Sequence, residues 1–233
     1  MYFINWERKI TKFLLGSNKV VLKEKKPFTN LRQFILIFCF TLISILSGNP
    51  SSPPRIGGTI IENESFESRN KLKLIGINTP KLFSISYDEI VEEYIEGGNL
   101  YSYFPTKSAN DLAFQAGKLT GILHKNGLVF IDNKCQNFLV NKNREVLRID
   151  IGFIQKSKSM FSQSMDVGSF LASILDLEPL IYREVSKEFL LGYLNMTNNK
   201  IPYLSIILRN ILALGFVYRH NNMIKNMLNK KTT

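Results

Sequence analysis

The sequence predicts an α+β fold, and three observations predict it. Short apolar runs bounded by turn residues read as strands: Val20-Val21-Leu22-Lys23 early, 89–97 (EIVEEYIEG) in mid-chain and 128–131 (LVFI) later. Phe138-Leu139-Val140 and Val146-Leu147, separated by an asparagine- and lysine-rich turn, read as a hairpin. Longer stretches carry helical spacing, first 110–126 with Leu112, Ala116, Leu119 and Leu123 on one face, then 171–180, 189–194 and 204–217. With 233 residues, 45% of them hydrophobic, the chain has enough apolar mass for a full core, as one compact two-part domain or two small ones. There is no internal repeat, and the stretch 47–58 (SGNPSSPPRIGG) reads as an exposed loop or connector.

The strand at 128–131 delivers Asp132 to a loop, and the hairpin after it ends at Asp150. Two carboxylates and the amide of Asn137 are thereby set at one end of a small ladder, where they can converge on one ligand. Phosphoryl transfer to a hydroxyl needs such a set: one carboxylate orients the acceptor and takes its proton, while an amide and a second carboxylate hold magnesium against the nucleotide phosphates. The competing structural reading is that Asp and Asn in turns serve their own backbone, and D-x-x-x-x-N alone is a weak pattern. The strand context and the later Asp150-Ile151-Gly152 carry the functional reading.

These residues resemble the protein-kinase-like superfamily. Its catalytic loop, H-R-D-x-x-x-x-N followed by D-F-G, is similar to Phe130-Ile131-Asp132-Asn133-Lys134-Cys135-Gln136-Asn137 followed by Asp150-Ile151-Gly152. The resemblance implies Asp132 as catalytic base, Asn137 and Asp150 as metal ligands, and Lys134 as the lysine that neutralises the transferred phosphate. Phe130 stands where the family has histidine, and Ile131 where it has arginine; loss of that arginine is typical of members not regulated by activation-loop phosphorylation. His124 belongs to the preceding helix and reads as a capping or packing residue.

The same resemblance extends upstream. Val20-Val21-Leu22-Lys23 looks like the family's V-A-I-K strand, which makes Lys23 the nucleotide-anchoring lysine, with Lys25 and Lys26 as rivals. Glu64 is expected to pair with it from the following helix, and Glu62 and Glu67 compete. The segment 89–97 resembles a hinge strand, in which the backbone of Glu93 to Ile95 would bond the adenine edge; the plain alternative is a strand with a solvated acidic face. Gly16-Ser17-Asn18 is the one tight turn before the lysine strand and supplies a reduced phosphate-covering hairpin, since nothing satisfies G-x-G-x-x-G. Gly76-Ile77-Asn78-Thr79-Pro80 resembles the G-I-x-T-P turn of archaeal atypical kinases. Asp166 is expected in the first turn of a helix starting at Met165, holding the catalytic loop through its backbone amides. The brief segment between Phe153 and Asp166 leaves no room for an extended activation segment. Together these features are most similar to the RIO kinases and the small kinase of the tRNA threonylcarbamoylation (KEOPS) complex. The fold implied is two-lobed, with a sheet-containing lobe at 1–96, a helical lobe at 97–233 and the nucleotide between.

The stretch 34–46 (FILIFCFTLISIL) is thirteen uncharged residues, short of the roughly 20 that cross a bilayer. It is expected as a core helix between the lysine strand and the glutamate helix. Peripheral membrane contact is the alternative, given Lys23, Lys25, Lys26 and Arg32 beside it. The start, MYFINWERKI, lacks the arrangement of a secretory signal, and two cysteines, Cys39 and Cys135, form no disulfide or zinc pattern, as in a reducing cytoplasm. A net charge of +11 attracts nucleic acid, acidic proteins or anionic membranes; the tail 219–231 reads as a solvated amphipathic helix, with tRNA or partner binding as the alternative. The activity expected from the resemblance is ATP-dependent phosphorylation of a protein serine or threonine, with Mg2+ or Mn2+. A small-molecule or lipid phosphotransferase and a nucleotide-binding pseudokinase are the alternatives.

Overall fold

Local turn chemistry sets the first element pair. Strands β1 (Arg8–Leu15) and β2 (Asn18–Lys25) are joined by Gly16-Ser17, with Gly16 at φ 62° in the first central position, where a type II′ turn takes glycine. The computed structural model describes residues 8–26, 29–105, 109–198, 200–213 and 226–227, apart from the side chains at 29, 30, 32 and 33. The opening MYFINWE, the Arg32 side chain, the end of the helix expected to reach Val217, and all of the tail except Asn226 and Met227 lie outside the described residues.

Helix α1 (Thr29–Leu46) follows, then α2 (Gly58–Glu64), α3 (Phe66–Leu74), β3 (Leu82–Ile85) and β4 (Glu89–Glu93). Ser65 separates α2 from α3 by capping the latter, its Oγ accepting from the Ser68 amide at 3.3 Å. The four strands form one antiparallel sheet in the order β1-β2-β4-β3. The β2–β4 register sets Lys23 opposite Ile90 and Val21 opposite Glu92, so Lys23 and Glu92 are diagonal neighbours on one face.

The second half is helical around two short ladders. Helix α4 (Asn110–Lys125) stops at Asn126, and Gly127 at φ 70° turns the chain while its amide bonds the His124 carbonyl. Strand β5 (Leu128–Val129) pairs with β8 (Gln155–Lys156), and β6 (Phe138–Val140) pairs with β7 (Val146–Arg148) as the expected hairpin. Helices α5 (Met160–Ala172), α6 (Pro179–Met196) and α7 (Ser205–Ala213) complete the lobe; Pro179 opens α6 and Glu178 caps it. The main core joins Leu112, Ala116 and Leu123 of α4 to Phe170, Tyr182, Phe189 and Tyr193, with Phe170 and Phe189 stacked at 3.8 Å. The molecule is thus the two-lobed α+β body the sequence predicted.

Several elements depart from expectation. The strand at 128–131 ends at Val129, because Asp166 takes the next two amides. The strand at 89–97 ends at Glu93. Helix α5 begins at Met160 rather than Met165, which puts Asp166 in its second turn, away from the helix N-terminus. Helix α1 was expected between the lysine strand and the glutamate helix; its inward residues Leu36, Phe40 and Ile43 join a cluster that includes Ile60 of α2 but is otherwise built from the second half, with Phe161, Met165, Leu204 and Leu208, and Phe40 meets the Phe161 ring edge-on at 5.1 Å. Asn226 is buried, its amide bonding the Leu175 and Leu177 carbonyls at 2.9 Å, so the tail is not solvated throughout.

Candidate active site

The segment 130–137 is held by bonds that few sequence positions would suggest. Asp166, fully buried, accepts from the amides of Phe130 at 2.6 Å and Ile131 at 2.7 Å, and its Oδ2 lies 2.9 Å from His124 Nε2. His124 Nδ1 is in turn 2.9 Å from the Tyr193 hydroxyl, so the histidine is a packing residue that also orients Asp166. Ile131, a β-branched residue, takes φ 67°, a conformation that costs of order 1–3 kcal/mol and persists only where its surroundings impose it. The Asp166 bond and the burial of its side chain among Phe153, Phe161 and Met165 impose it here. This twist directs Asp132 out of the strand.

Arg148 fixes the other side of the loop. It is fully buried, donates from Nη2 to the Asp132 carbonyl at 2.7 Å, and lies over the rings of Phe130 at 4.2 Å and Phe138 at 4.9 Å. Burial pushes its pKa down to about 10, partly countered by the charges of Asp132, Asp166 and Asp150. The Phe130 ring therefore serves as a platform for this cation. Asn133 is also buried, donating to Thr120 Oγ1 at 3.1 Å, and Cys135 N–H bonds Ser173 Oγ at 2.8 Å. Burial raises the Cys135 thiol pKa well above its ordinary value, which suits a structural cysteine.

The structure brings Asp132, Lys134 and Asn137 together. Asn137 Nδ2 donates to the Asp132 carbonyl at 2.9 Å and to Asp132 Oδ2 at 3.1 Å, and Lys134 Nζ lies 2.9 Å from the same Oδ2. The Ile149 amide bonds the Asn137 carbonyl at 2.9 Å, joining this loop to the residue before Asp150. Asp150 has φ 53° and keeps 40% of its side-chain surface open. Burial of Lys134 lowers its pKa, and the charges of Asp132 and Asp150 outweigh that, so the ammonium is held above its ordinary range.

Lys23 joins this group from 127 residues away, Nζ to Asp150 Oδ1 at 2.7 Å. Its second partner is Glu92 Oε1 at 2.8 Å. The pairing expected with Glu64 is not made: Glu64 Oε2 bonds Arg69 Nη2 at 2.7 Å, and Arg69 bridges to Glu92 Oε2 at 2.8 Å. The reason is geometric, since α2 ends at Glu64 and turns its carboxylate to the first helical turns of α3, while the sheet register already offers Glu92 to Lys23. Lys25, one rival, instead sits over the Tyr87 ring at 3.9 Å. Burial alone would lower the Lys23 pKa, but Asp150, Glu92 and Glu64 raise it above the ordinary lysine range. Conversely, burial would raise the Asp150 pKa, and Lys23, Lys134 and Arg148 bring it down to about 2.

Other predicted positions surround this centre. Glu93 closes β4, and Ile95 follows it as a buried residue whose amide makes no hydrogen bond among the described residues. Gly97 packs so tightly that a Cβ there would meet the Val140 carbonyl at 2.0 Å, which ties this strap to the β6–β7 hairpin. Gly16 lies in the β1–β2 turn with no atom within 4 Å of a would-be Cβ, and the structure does not bring it against the acidic cluster. Gly152 abuts Ile60 of α2, and Asn63 donates to the Gly152 and Ile154 carbonyls at 2.7 and 2.8 Å, so α2 clasps the chain just past Asp150.

Glu92, Arg148 and Asn63 are the participants that sequence reasoning missed. For two of them the signal was present: Glu92 follows Ile90, and Arg148 follows Val146, at the two-residue spacing of a buried strand face.

The site also offers oxygen ligands. With both amide hydrogens of Asn137 directed at Asp132, its Oδ1 is without a donor among the described residues, and Asp150 Oδ2 is likewise unengaged. No cluster of three His, Cys, Asp or Glu side chains suited to a metal occurs among the described residues. Mg2+ asks less than that, being held by one or two protein oxygens together with phosphates and water, and this donor set fits it.

No protein-family model matches the chain. Over 124 residues, 52% of its length, it is 27% identical to the probable bifunctional tRNA threonylcarbamoyladenosine biosynthesis protein of Methanocaldococcus jannaschii. The match covers 22% of that protein, so the chain spans about a fifth of the length of this curated relative.

Proposed function

We propose that the protein binds Mg-ATP between its sheet lobe (1–96) and its helical lobe (97–233) and transfers or releases the terminal phosphoryl group, as an atypical member of the protein-kinase-like superfamily. The observation that carries this reading is that Lys23 meets Asp150 and Asn137 meets Asp132, two hydrogen-bonded pairs joined by the Ile149 amide on the Asn137 carbonyl. Lys23 supplies positive charge for the α- and β-phosphates, and Glu92 fixes where that charge stands. Asn137 Oδ1 and Asp150 hold the magnesium ion, which would neutralise phosphate charge. Asp132 orients the attacking hydroxyl or water and accepts its proton, and Lys134, bonded to Asp132, faces the charge that develops on the transferred group. Glu93 and Ile95 offer backbone atoms to the adenine edge.

The partial likeness to a tRNA threonylcarbamoyladenosine biosynthesis protein supports a role in the same modification, with ATP turnover serving tRNA or a protein partner. A net charge of +11 suits contact with RNA. Phosphorylation of a protein serine or threonine is the narrower form of the proposal. Incubation of the purified protein with γ-labelled ATP and Mg2+, alone and with tRNA or a generic protein acceptor, tests it. Label transfer or phosphate release is expected to fall by about 10²–10⁴-fold in Asp132→Ala, as for loss of a general base. Turnover unchanged in that variant would overturn the reading.

A further inference from the structure

Helix α1 presents an apolar seam that none of the described residues covers. Its inward side, Leu36, Phe40 and Ile43, is docked on the helical lobe, while Leu31, Ile35, Phe38, Leu42 and Ile45 are each between 44% and 60% exposed. Those five positions follow one another at intervals of four, three, four and three residues. That is the 3.5-residue repeat of a coiled-coil seam, with Ile35 and Leu42 in the a positions and Leu31, Phe38 and Ile45 in the d positions. We propose that α1 is a dimerisation helix, and that the occupant of its seam is the α1 of a second copy of this chain.

Area supports a stable pairing. The seam and its flanking Phe34 and Leu46, exposed by 60% and 77%, offer seven large side chains. At roughly 100 Å² each they present roughly 700 Å² per copy, against the about 800 Å² per partner of a standard interface. Contiguous exposed apolar surface of this size is unusual on a monomer. A seam this short is too weak to fold isolated helices, but α1 is already held in helical form by its docked side, so association carries no folding cost.

Chemistry selects a second copy over other occupants. Between Gln33 and Leu46 the helix has no charged residue, and the positions beside the seam are Phe34, Cys39, Thr41 and Leu46. Beyond Arg32 at the start of the helix, an acidic partner would find no basic residue along the seam to pair with, and an interfacial membrane helix would carry lysine or arginine along its length. A self-complementary apolar seam needs neither. Since the opposite side of α1 is occupied by its own lobe, one seam remains open and the assembly closes as a two-fold dimer.

Sedimentation equilibrium of the full chain at micromolar concentration is expected to give twice 26.8 kDa. The variant Ile35→Glu with Leu42→Glu, at positions exposed in the single chain, is expected to give 26.8 kDa with an unchanged far-ultraviolet circular dichroism spectrum. A flexible bis-maleimide should link two copies of the wild-type protein through Cys39, which is exposed beside the seam, whereas Cys135 is buried. A wild-type protein of single mass that Cys39 does not crosslink overturns the proposal, as does a double variant that remains dimeric. Wild-type protein that stays monomeric and sediments with phosphatidylcholine–phosphatidylserine vesicles would identify a lipid surface as the occupant and overturn it too.

Discussion

Asp166 accepts two backbone amides and faces His124, so its charge is spread over three nitrogens. In Asp166→Asn one of those amides meets an NH2 group, and the left-handed turn at Ile131 loses what imposes it. Stability is expected to fall by about 2–4 kcal/mol in urea titration, from lost charge-assisted bonds and a buried donor left unpaired. Glu92→Ala should cost about 3 kcal/mol by the same measurement, because Lys23 and Arg69 are then buried with one carboxylate each. Asp132, Asn137 and Asp150 were legible in the sequence because their spacing along one short segment is itself the signal. Glu92 carried only the spacing that marks a buried strand face; that it meets Lys23 depends on which strand lies beside β2 and in what register, a non-local fact. The same limit misassigned Glu64, whose distance along the chain suited Lys23 while its orientation suited Arg69.

Among the elements, helices α4 and α6 approach so closely that glycine is required at the crossing. A Cβ on Gly117 would lie 1.9 Å from the Phe189 carbonyl oxygen, and one on Gly192 would lie 2.0 Å from that of Phe114. Because both obstacles are backbone, the helices must separate to admit even a methyl group. Gly192→Ala is expected to destabilise by about 3 kcal/mol, the upper end for overpacking, with a lowered thermal midpoint. This pairing also positions His124, on α4, against Tyr193, on α6, at 2.9 Å, so the proposed Mg-ATP-dependent turnover should fall in the variant along with stability. Helix α4 was anticipated from apolar periodicity, which reports a buried face; α6 was anticipated only over 189–194, and the stretch 171–180, also expected as helical, is instead the end of α5, a turn and the start of α6. Helix α1 was anticipated too, but an uncharged run carries no periodicity to tell inside from outside, and its place on the helical lobe and its bare seam came from the structure.

At the scale of the whole molecule, the two lobes are tied across the site by Lys23 and Asp150. The Asp150 carboxyl is depressed to about 2 from an ordinary value near 4, so the unfolded chain binds its proton first as pH falls. The tie is therefore complete above about pH 4 and is lost as pH drops toward 2. Wild-type protein is expected to lose more stability between these values than Asp150→Asn, read as the urea midpoint against pH. Glu96 titrates in the same window, its carboxyl brought down to about 2 by bonds to Lys19 and Lys142, and it falls equally in both proteins. The two-lobed architecture was legible because the site motif and the helical second half pointed the same way. None of the described helices is long and apolar enough to cross a membrane.

The ammonium of Lys23 has three hydrogens, and Asp150 and Glu92 engage two of them. Among the described residues one valence is left over, as it is on the Asn137 and Asp150 oxygens that face away from their partners. Within the proposed site an arriving polyphosphate can add contacts without displacing Asp150 or Glu92, and because Lys23 is itself buried, loading should require the residues covering it to part first.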